Sequence, residues 1–283
     1  MVKRLPSPEQ IAALLEEVAA DEILPRFNQI NDDDIIWKLG QQPVTQADLA
    51  TERVLRKALK SLIPGSIIVG EEGEGRSIGD AGDQYIWLID PVDGTRNFIA
   101  GRDHFCSMIA LVSFGQTVLS AIHAPIRKKT AICELGGGAF YGGEKLDLAV
   151  NINQKSDVDV DLISTFNDDK AVGQINFALV EEPKRSALKA LAQKRFLRVD
   201  RLRCAGLDLV DQARGIRHFS VYRRLWSWDH APGVLLLTEA GGVKATLEGF
   251  PSYDPLARVG GLVTATEQAL MARICDMMYE HGV

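Results

Sequence analysis

The sequence predicts an α+β body whose second half is of α/β type. Two amphipathic helical stretches come first, a dense run of β-rich segments follows to about residue 146, and beyond about 150 strand-like and helix-like segments alternate.

Ser7-Pro8-Glu9-Gln10 opens the first helix, with Ser as cap, Pro in the first turn and Gln three residues after the cap. Ile11, Leu14, Leu15 and Val18 then recur at helical spacing. A second helix is predicted from Thr45 toward Leu62, with Ala47, Ala50, Val54, Ala58 and Leu62 on one face, stopped by Pro64-Gly65. Next come SIIVG (66–70), QYIWLID (84–90), FCSMIALV (105–112), QTVLSAIHAP (116–125) and the glycine-punctuated KKTAICELGGGAFYGG (128–143). Their β-branched and aromatic content and short spacing predict a largely antiparallel sheet.

Beyond 150, SDVDVD (156–161) reads as an acidic turn and INFALV (175–180) as a strand, with helices over 183–194, 206–214, 229–240 and 266–280. No Pro/Gly/Ser-rich linker separates the halves. Residues 1–150 and 151–283 are therefore expected to pack as two subdomains of one body.

With 283 residues, 46% of them hydrophobic, the chain can bury a large core. Its net charge of -6 gives no excess of positive charge for nucleic acid or an anionic membrane as main partner. Acidic residues break up the apolar content of the first 27 residues, unlike a signal peptide, and no window approaches the ~18 continuous apolar residues of a membrane span. A cytoplasmic location with no membrane partner is the expectation. Cys106, Cys133, Cys204 and Cys275 show no CxxC spacing and are expected as buried free thiols.

The chemistry concentrates in WLIDPVDGTRNF (87–98). Asp90 ends an apolar strand and Asp93 follows across a Pro91-Val92 corner, so two carboxylates can converge at a sheet edge. Like charges repel there unless one is protonated, both are well solvated, or a hard cation such as Mg²⁺ is shared. Gly94 and Thr95 offer backbone N–H groups and a hydroxyl to a phosphate. The same residues also make an ordinary acidic turn, or the remnant of a metal site in a protein that only binds partners. Glu71 and Glu72 directly follow the strand at 66–70, where a neighbouring strand could bring Glu71 to Asp90, although a solvated loop has this composition too. Asp229 stands at the front of an apolar helix, where an anion complements the helix dipole. Thr45 and Asp48 have the spacing of a capping box. The histidines lack any nucleophile-elbow motif.

Taken together, Gly70-Glu71-Glu72, Asp90-Pro91-Val92-Asp93-Gly94-Thr95-Arg96-Asn97-Phe98, and Trp228-Asp229 with Glu239-Ala240-Gly241-Gly242 resemble the inositol monophosphatase family of magnesium-dependent, lithium-sensitive phosphatases. GGGAFYGGEKL (136–146) looks like the family's hairpin, and PVTQAD (43–48) like its entry to the second helix. The resemblance implies a layered α-β-α-β-α sandwich of the inositol monophosphatase and fructose-1,6-bisphosphatase kind, and a homodimer. It implies two or three Mg²⁺ ions held by Glu71, Asp90, the Val92 carbonyl, Asp93 and Asp229, with Asp90 bridging. Glu71 and Thr95 would steer the attacking water, Asp48 would hydrogen-bond Thr95, and Asp93, Gly94, Thr95, Arg96, Gly206 and Tyr222 would meet substrate.

The implied reaction is hydrolysis of a small polyol or sugar phosphate, inositol 1-phosphate first. Histidinol phosphate, 3′-phosphoadenosine 5′-phosphate and fructose 1,6-bisphosphate are alternatives, as is a regulatory binding protein of the same fold. The chain departs from the animal enzymes where their substrate-contacting glutamate is replaced by Tyr222, and where the pocket segment reads RCAGLDLVD, with Leu207 and Asp208 after Gly206. Arg96-Asn97-Phe98 after the DGT is similar to the inositol- and histidinol-phosphatase branches. Arg223 and Arg224 read as solvated surface or as groups within reach of substrate.

Overall fold

Helix α1 (Pro8–Val18) starts where its cap demands: Ser7 Oγ accepts from the Gln10 N–H, and Gln10 accepts from the Ser7 N–H. The computed structural model describes residues 5–38, 42–73, 85–149, 168–247, 253–256 and 260–282. Two antiparallel strands, β1 (Ile36–Lys38) and β2 (Gln42–Val44), precede α2 (Gln46–Leu62), capped reciprocally by Thr45 and Asp48. The buried face of α2 differs from the expected one. It comprises Ala47, Asp48, Ala50, Thr51, Glu52, Leu55 and Leu59, whereas Leu62 is exposed. Polar residues that serve the site share the inward face, which rotates the helix away from a purely apolar stripe.

Seven strands follow in sequential spatial order: β3 (Ile67–Gly70), β4 (Ile86–Asp93), β5 (Cys106–Ser113), β6 (Gln116–Ala124), β7 (Lys129–Glu134), β8 (Gly138–Tyr141) and β9 (Glu144–Leu146). All pairings are antiparallel except β3 with β4. That parallel pair brings the C-terminal ends of both strands to the same edge. The short helix α3 (Thr95–Ile99) caps β4.

A second, mixed sheet has the order β11-β10-β12-β14-β13, from β10 (Val172–Ile175), β11 (Arg198–Val199), β12 (Phe219–Tyr222), β13 (Val243–Thr246) and β14 (Leu262–Ala265). Its helices are α4 (Lys184–Arg195), α5 (Ala205–Ala213), α6 (Ser227–Glu239) and α7 (Gln268–Glu280). The strand expected over 175–180 ends at Ile175. Asn176 accepts from the Ala178 N–H and turns Phe177–Leu179 into a single 3₁₀ turn. The expected acidic turn at 156–161 and the division at 150/151 lie outside the described residues.

Period-two alternation builds the layers. Trp87 and Ile89 of β4 face α1 and α2, with Ile11, Leu15, Leu55 and Leu59. Ile86 and Leu88 point the other way, toward Ala231 of α6. Leu207, Leu209, Leu236 and Leu237 of α5 and α6 fill the space between Met108 and Ile122 of the first sheet and Tyr222 and Leu262 of the second. Phe219 and Val221 pack outward against Leu188 and Ile274 of α4 and α7. The result is an α-β-α-β-α sandwich, as the sequence motifs imply. No helix among the described residues is long and apolar enough to cross a membrane.

Candidate metal and phosphate site

The β3–β4 register pairs Gly70 with Ile89, and the Glu71 N–H continues the ladder by donating to the Ile89 carbonyl at 3.2 Å. Glu71 thus emerges beside Asp90. On its other side β4 pairs Asp90 with Met108 and then Asp93 with Cys106, so the β4 strand holds one extra residue there. This bulge accommodates Pro91, which has no N–H for a ladder, and re-aims Asp93 to the edge. Gly94 follows at φ 91°, and a Cβ there would lie 2.7 Å from the His104 carbonyl oxygen. Only glycine fits the turn into α3.

Asp90 is 1% exposed, and its Oδ1 has no hydrogen-bond partner among the described residues. Burial, then repulsion from Glu71, Asp93 and Asp229, pushes its carboxyl well above the ordinary range. Glu71 is raised by burial, then by Asp229 and Glu72, and Asp229 by burial, then by Asp93. Buried carboxylates that repel one another in this way coexist only with a proton or a cation to offset their charge. Four acidic groups from the β3 end, β4 and α6, with one buried oxygen left orphaned, have the donor chemistry a hard divalent ion takes, although the ligand atoms that lie within 4.8 Å of one another among the described residues are those of Asp93, Cys106 and Cys204.

Thr95 and Asp48 meet here as expected. The Thr95 hydroxyl lies 3.0 Å from the Val92 carbonyl and 3.3 Å from Asp48 Oδ1, either of which can take its proton. Asp48 Oδ2 accepts from the Thr45 N–H at 2.8 Å and the Thr45 hydroxyl at 2.6 Å. Burial nevertheless raises the Asp48 carboxyl to about 7. The helix cap and the contact to Thr95 coincide in one residue.

Gly206 reaches the site through its backbone, whose N–H donates to Asp93 Oδ2 at 2.6 Å. The Cys204 and Cys106 thiols approach the same oxygen at 3.1 and 3.8 Å. All four cysteines are free thiols, Cys275 being half-buried and the others buried.

Tyr222 lines the cleft, but it is buried, its hydroxyl donates to Asp208 Oδ2 at 2.6 Å and its ring packs edge-on against His230 at 4.6 Å. Asp208 is fully buried and collects Ser220, Gln174, Gln212 and Arg217 as further partners, with Arg217 Nε at 2.5 Å. The unusual Leu207-Asp208 segment is therefore internal structure, with Leu207 in the core and Asp208 as the hub of a buried network.

Three supports were not evident in the sequence. Glu52 accepts from the Glu72 N–H at 2.7 Å and pairs with Arg56 at 2.7 Å, bracing the loop that carries Glu71. Their i,i+4 spacing on a helix was the available signal. Lys38 reaches the Glu71 carbonyl and pairs with Glu72 at 2.5 Å. His230 contacts the Trp226 carbonyl through Nδ1 at 2.9 Å, and since a carbonyl only accepts, Nε2 is left as an acceptor. Burial holds His230 down at about 4, so it is neutral at physiological pH.

Of these groups Asp93, Asp229, Tyr222 and His230 line a cavity of about 590 Å³, together with Asn176 and several arginines. The sequence pattern of the inositol monophosphatase family matches residues 9–282. The chain is 31% identical over 246 residues to the inositol-1-monophosphatase of Rhizobium meliloti, covering 87% of this chain and 86% of the relative. It is 32% identical over 269 residues to the Nus factor SuhB of Pseudomonas aeruginosa, covering 93% and 94%. The solved structure of an IMPase/NADP phosphatase complexed with Mg²⁺ and phosphate superposes with a TM-score of 0.79 at 18% identity, covering 97% of this chain and 95% of that one. By motif, layer order and extent of match, the chain belongs to the inositol monophosphatase family.

Proposed function

We propose that the chain is a Mg²⁺-dependent phosphomonoesterase acting on a small polyol or sugar phosphate, with inositol 1-phosphate as first substrate. The observation that carries this reading is the convergence of Glu71, Asp90, Asp93 and Asp229, raised by burial and, except at Asp93, by repulsion among themselves, beside the Gly94–Thr95 turn. Glu71, Asp90 and the Val92 carbonyl would hold one Mg²⁺, and Asp90, Asp93 and Asp229 a second, within a total of two or three. Mg²⁺ there supplies neutralising charge for the phosphoryl group and the departing alkoxide.

The protein groups do the positioning. Backbone N–H groups of Gly94 and Thr95 take phosphate oxygens, with Arg96 flanking them. Thr95, its own proton held by Asp48 or the Val92 carbonyl, turns a lone pair toward the attacking water. Glu71 receives a proton from that water as its oxygen bonds to phosphorus in line with the ester oxygen. The P–O ester bond breaks, and the alkoxide is protonated by solvent in the cleft. His230 Nε2 accepts from a substrate hydroxyl.

Phosphate release from myo-inositol 1-phosphate, with Mg²⁺ and with Mg²⁺ plus lithium, is the test. Activity independent of divalent metal, or surviving Asp90→Asn, overturns the mechanism. Histidinol phosphate, 3′-phosphoadenosine 5′-phosphate and fructose 1,6-bisphosphate belong in the same kcat/KM panel. The likeness to a Nus factor supports a second, regulatory reading, which a pull-down with wild type and Asp90→Asn separates from catalysis. The proposal includes a homodimer, checked by sedimentation.

A further inference from the structure

We infer that the cleft carries an anion subsite apart from the scissile phosphate, so that the preferred substrate bears a second negative group, phosphate or carboxylate. This rests on the phosphomonoesterase reading and, within it, ranks a doubly charged polyol or sugar phosphate above inositol 1-phosphate.

The cavity bordered by Asp93 and Asp229 is also lined by Arg201, Arg203, Arg223 and Arg224. Arginines elsewhere, such as Arg56, Arg127, Arg195 and Arg217, close on carboxylates at 2.5–2.8 Å. The guanidinium groups of the four cleft arginines have no ion-pair, hydrogen-bond or ring partner among the described residues. In a chain of net charge -6, four exposed cations without a partner among the described residues line one cavity, and an anion bound there would be paired by them. Guanidinium groups suit phosphate and carboxylate because both accept paired N–H bonds.

Two connections present these arginines, and each is anchored at the catalytic end. Asn97 of α3 donates to the Leu202 carbonyl at 2.9 Å and the Arg203 carbonyl at 3.4 Å, binding that loop to the helix that begins at Thr95. Arg203 itself has φ 57°, a left-handed conformation that costs a non-glycine residue about 1 kcal/mol or more. Arg223 and Arg224 follow the last residue of β12 and precede the helix that carries Asp229. The scissile phosphate has its own seat at Gly94 and Thr95, so these arginines remain for a different part of the ligand.

The experiment compares matched substrates that differ only in the second group: fructose 1-phosphate with fructose 1,6-bisphosphate, and glycerol 3-phosphate with 3-phosphoglycerate. Each is measured for kcat/KM at fixed Mg²⁺ and ionic strength in wild type, Arg201→Gln/Arg203→Gln and Arg223→Gln/Arg224→Gln, with folding verified by thermal melts. The expected result is a preference of about tenfold or more for the doubly charged member of at least one pair, falling toward one in both double variants. Which pair responds distinguishes phosphate from carboxylate. A ratio near one in wild type, or one that both variants leave intact, overturns the subsite even if phosphate is released from every substrate. If no phosphomonoester is hydrolysed, the phosphatase reading fails instead. Calorimetric binding of the same ligands then tests the subsite, with the same preference and the same loss expected, and equal affinities overturning it.

Discussion

The Gly206 N–H and Asp93 Oδ2 stand 2.6 Å apart, joining a helix of the middle layer to the bulge of the first sheet. A Cβ at Gly206 would lie 2.6 Å from Cys106 Sγ, 2.9 Å from Met108 Sδ and 3.3 Å from Asp93 Oδ2. Gly206→Ala is expected to destabilise the fold by about 1–3 kcal/mol through overpacking and to raise the Mg²⁺ concentration needed for half-maximal activity. Chemical denaturation and a metal titration read the two effects separately.

Asp90→Asn removes the most buried charge from the repelling group. Loss of activity by a factor of about 10³ or more is expected, together with a metal-free melting temperature about 2–4 °C higher than wild type for each kcal/mol of repulsion relieved. Calorimetry in EDTA checks the second effect, and a lower melting temperature would contradict it.

The pH dependence of stability has a definite sign. Glu71, Asp90 and Asp229 are all raised in the native state, so without metal the folded chain binds more protons than the unfolded one. Their contribution is fully present below the ordinary carboxylate range and is lost as pH rises through the raised native values. Metal-free protein should therefore melt lower at pH 8 than at pH 5.5, and Mg²⁺ should raise the melting temperature more at pH 8. Melts at both pH values, with EDTA or Mg²⁺, measure this.

Asp48, raised to about 7, must be ionised to hold Thr95 firmly. The acid limb of kcat is expected near that pH. Asp48→Asn should lower kcat at pH 8 by about 10²-fold and remove the limb, which a pH–rate profile of both proteins resolves.

Tyr222→Phe separates a buried network from a substrate contact. Deleting the hydroxyl on Asp208 is expected to cost about 1 kcal/mol of stability with KM changed less than about twofold. A large KM effect would put the hydroxyl on the substrate.

The motif residues were legible because each follows or ends an apolar run, but the strand read as ending at Asp90 runs on to Asp93 through a bulge, and the parallel register that sets Glu71 beside Asp90 is found only in the fold. The layer order was implied by the family resemblance, while the residues themselves gave only the α+β order and a largely antiparallel sheet. What could not be read was which polar residues face inward. Asp208 sits between apolar neighbours and looks like a site residue until Arg217, Gln174 and Tyr222, distant in sequence, close around it. The inward Glu52 likewise became meaningful only once the Glu72 N–H arrived from another element. Strand 175–180 failed locally because asparagine turn chemistry outweighed an apolar run.

Among the described residues β3 lies at the margin of its sheet, with β4 as its one strand partner. Asp90 and Asp93 belong to a strand flanked on both sides, whereas Glu71 hangs from this margin on a brace of Glu52 and Lys38. Marginal strands open at a lower free energy than the whole fold. If Glu71 takes part in holding Mg²⁺ as proposed, amide exchange at residues 67–71 is expected to slow on Mg²⁺ addition while the interior of β4 stays unchanged, and equal exchange with and without Mg²⁺ would contradict that role.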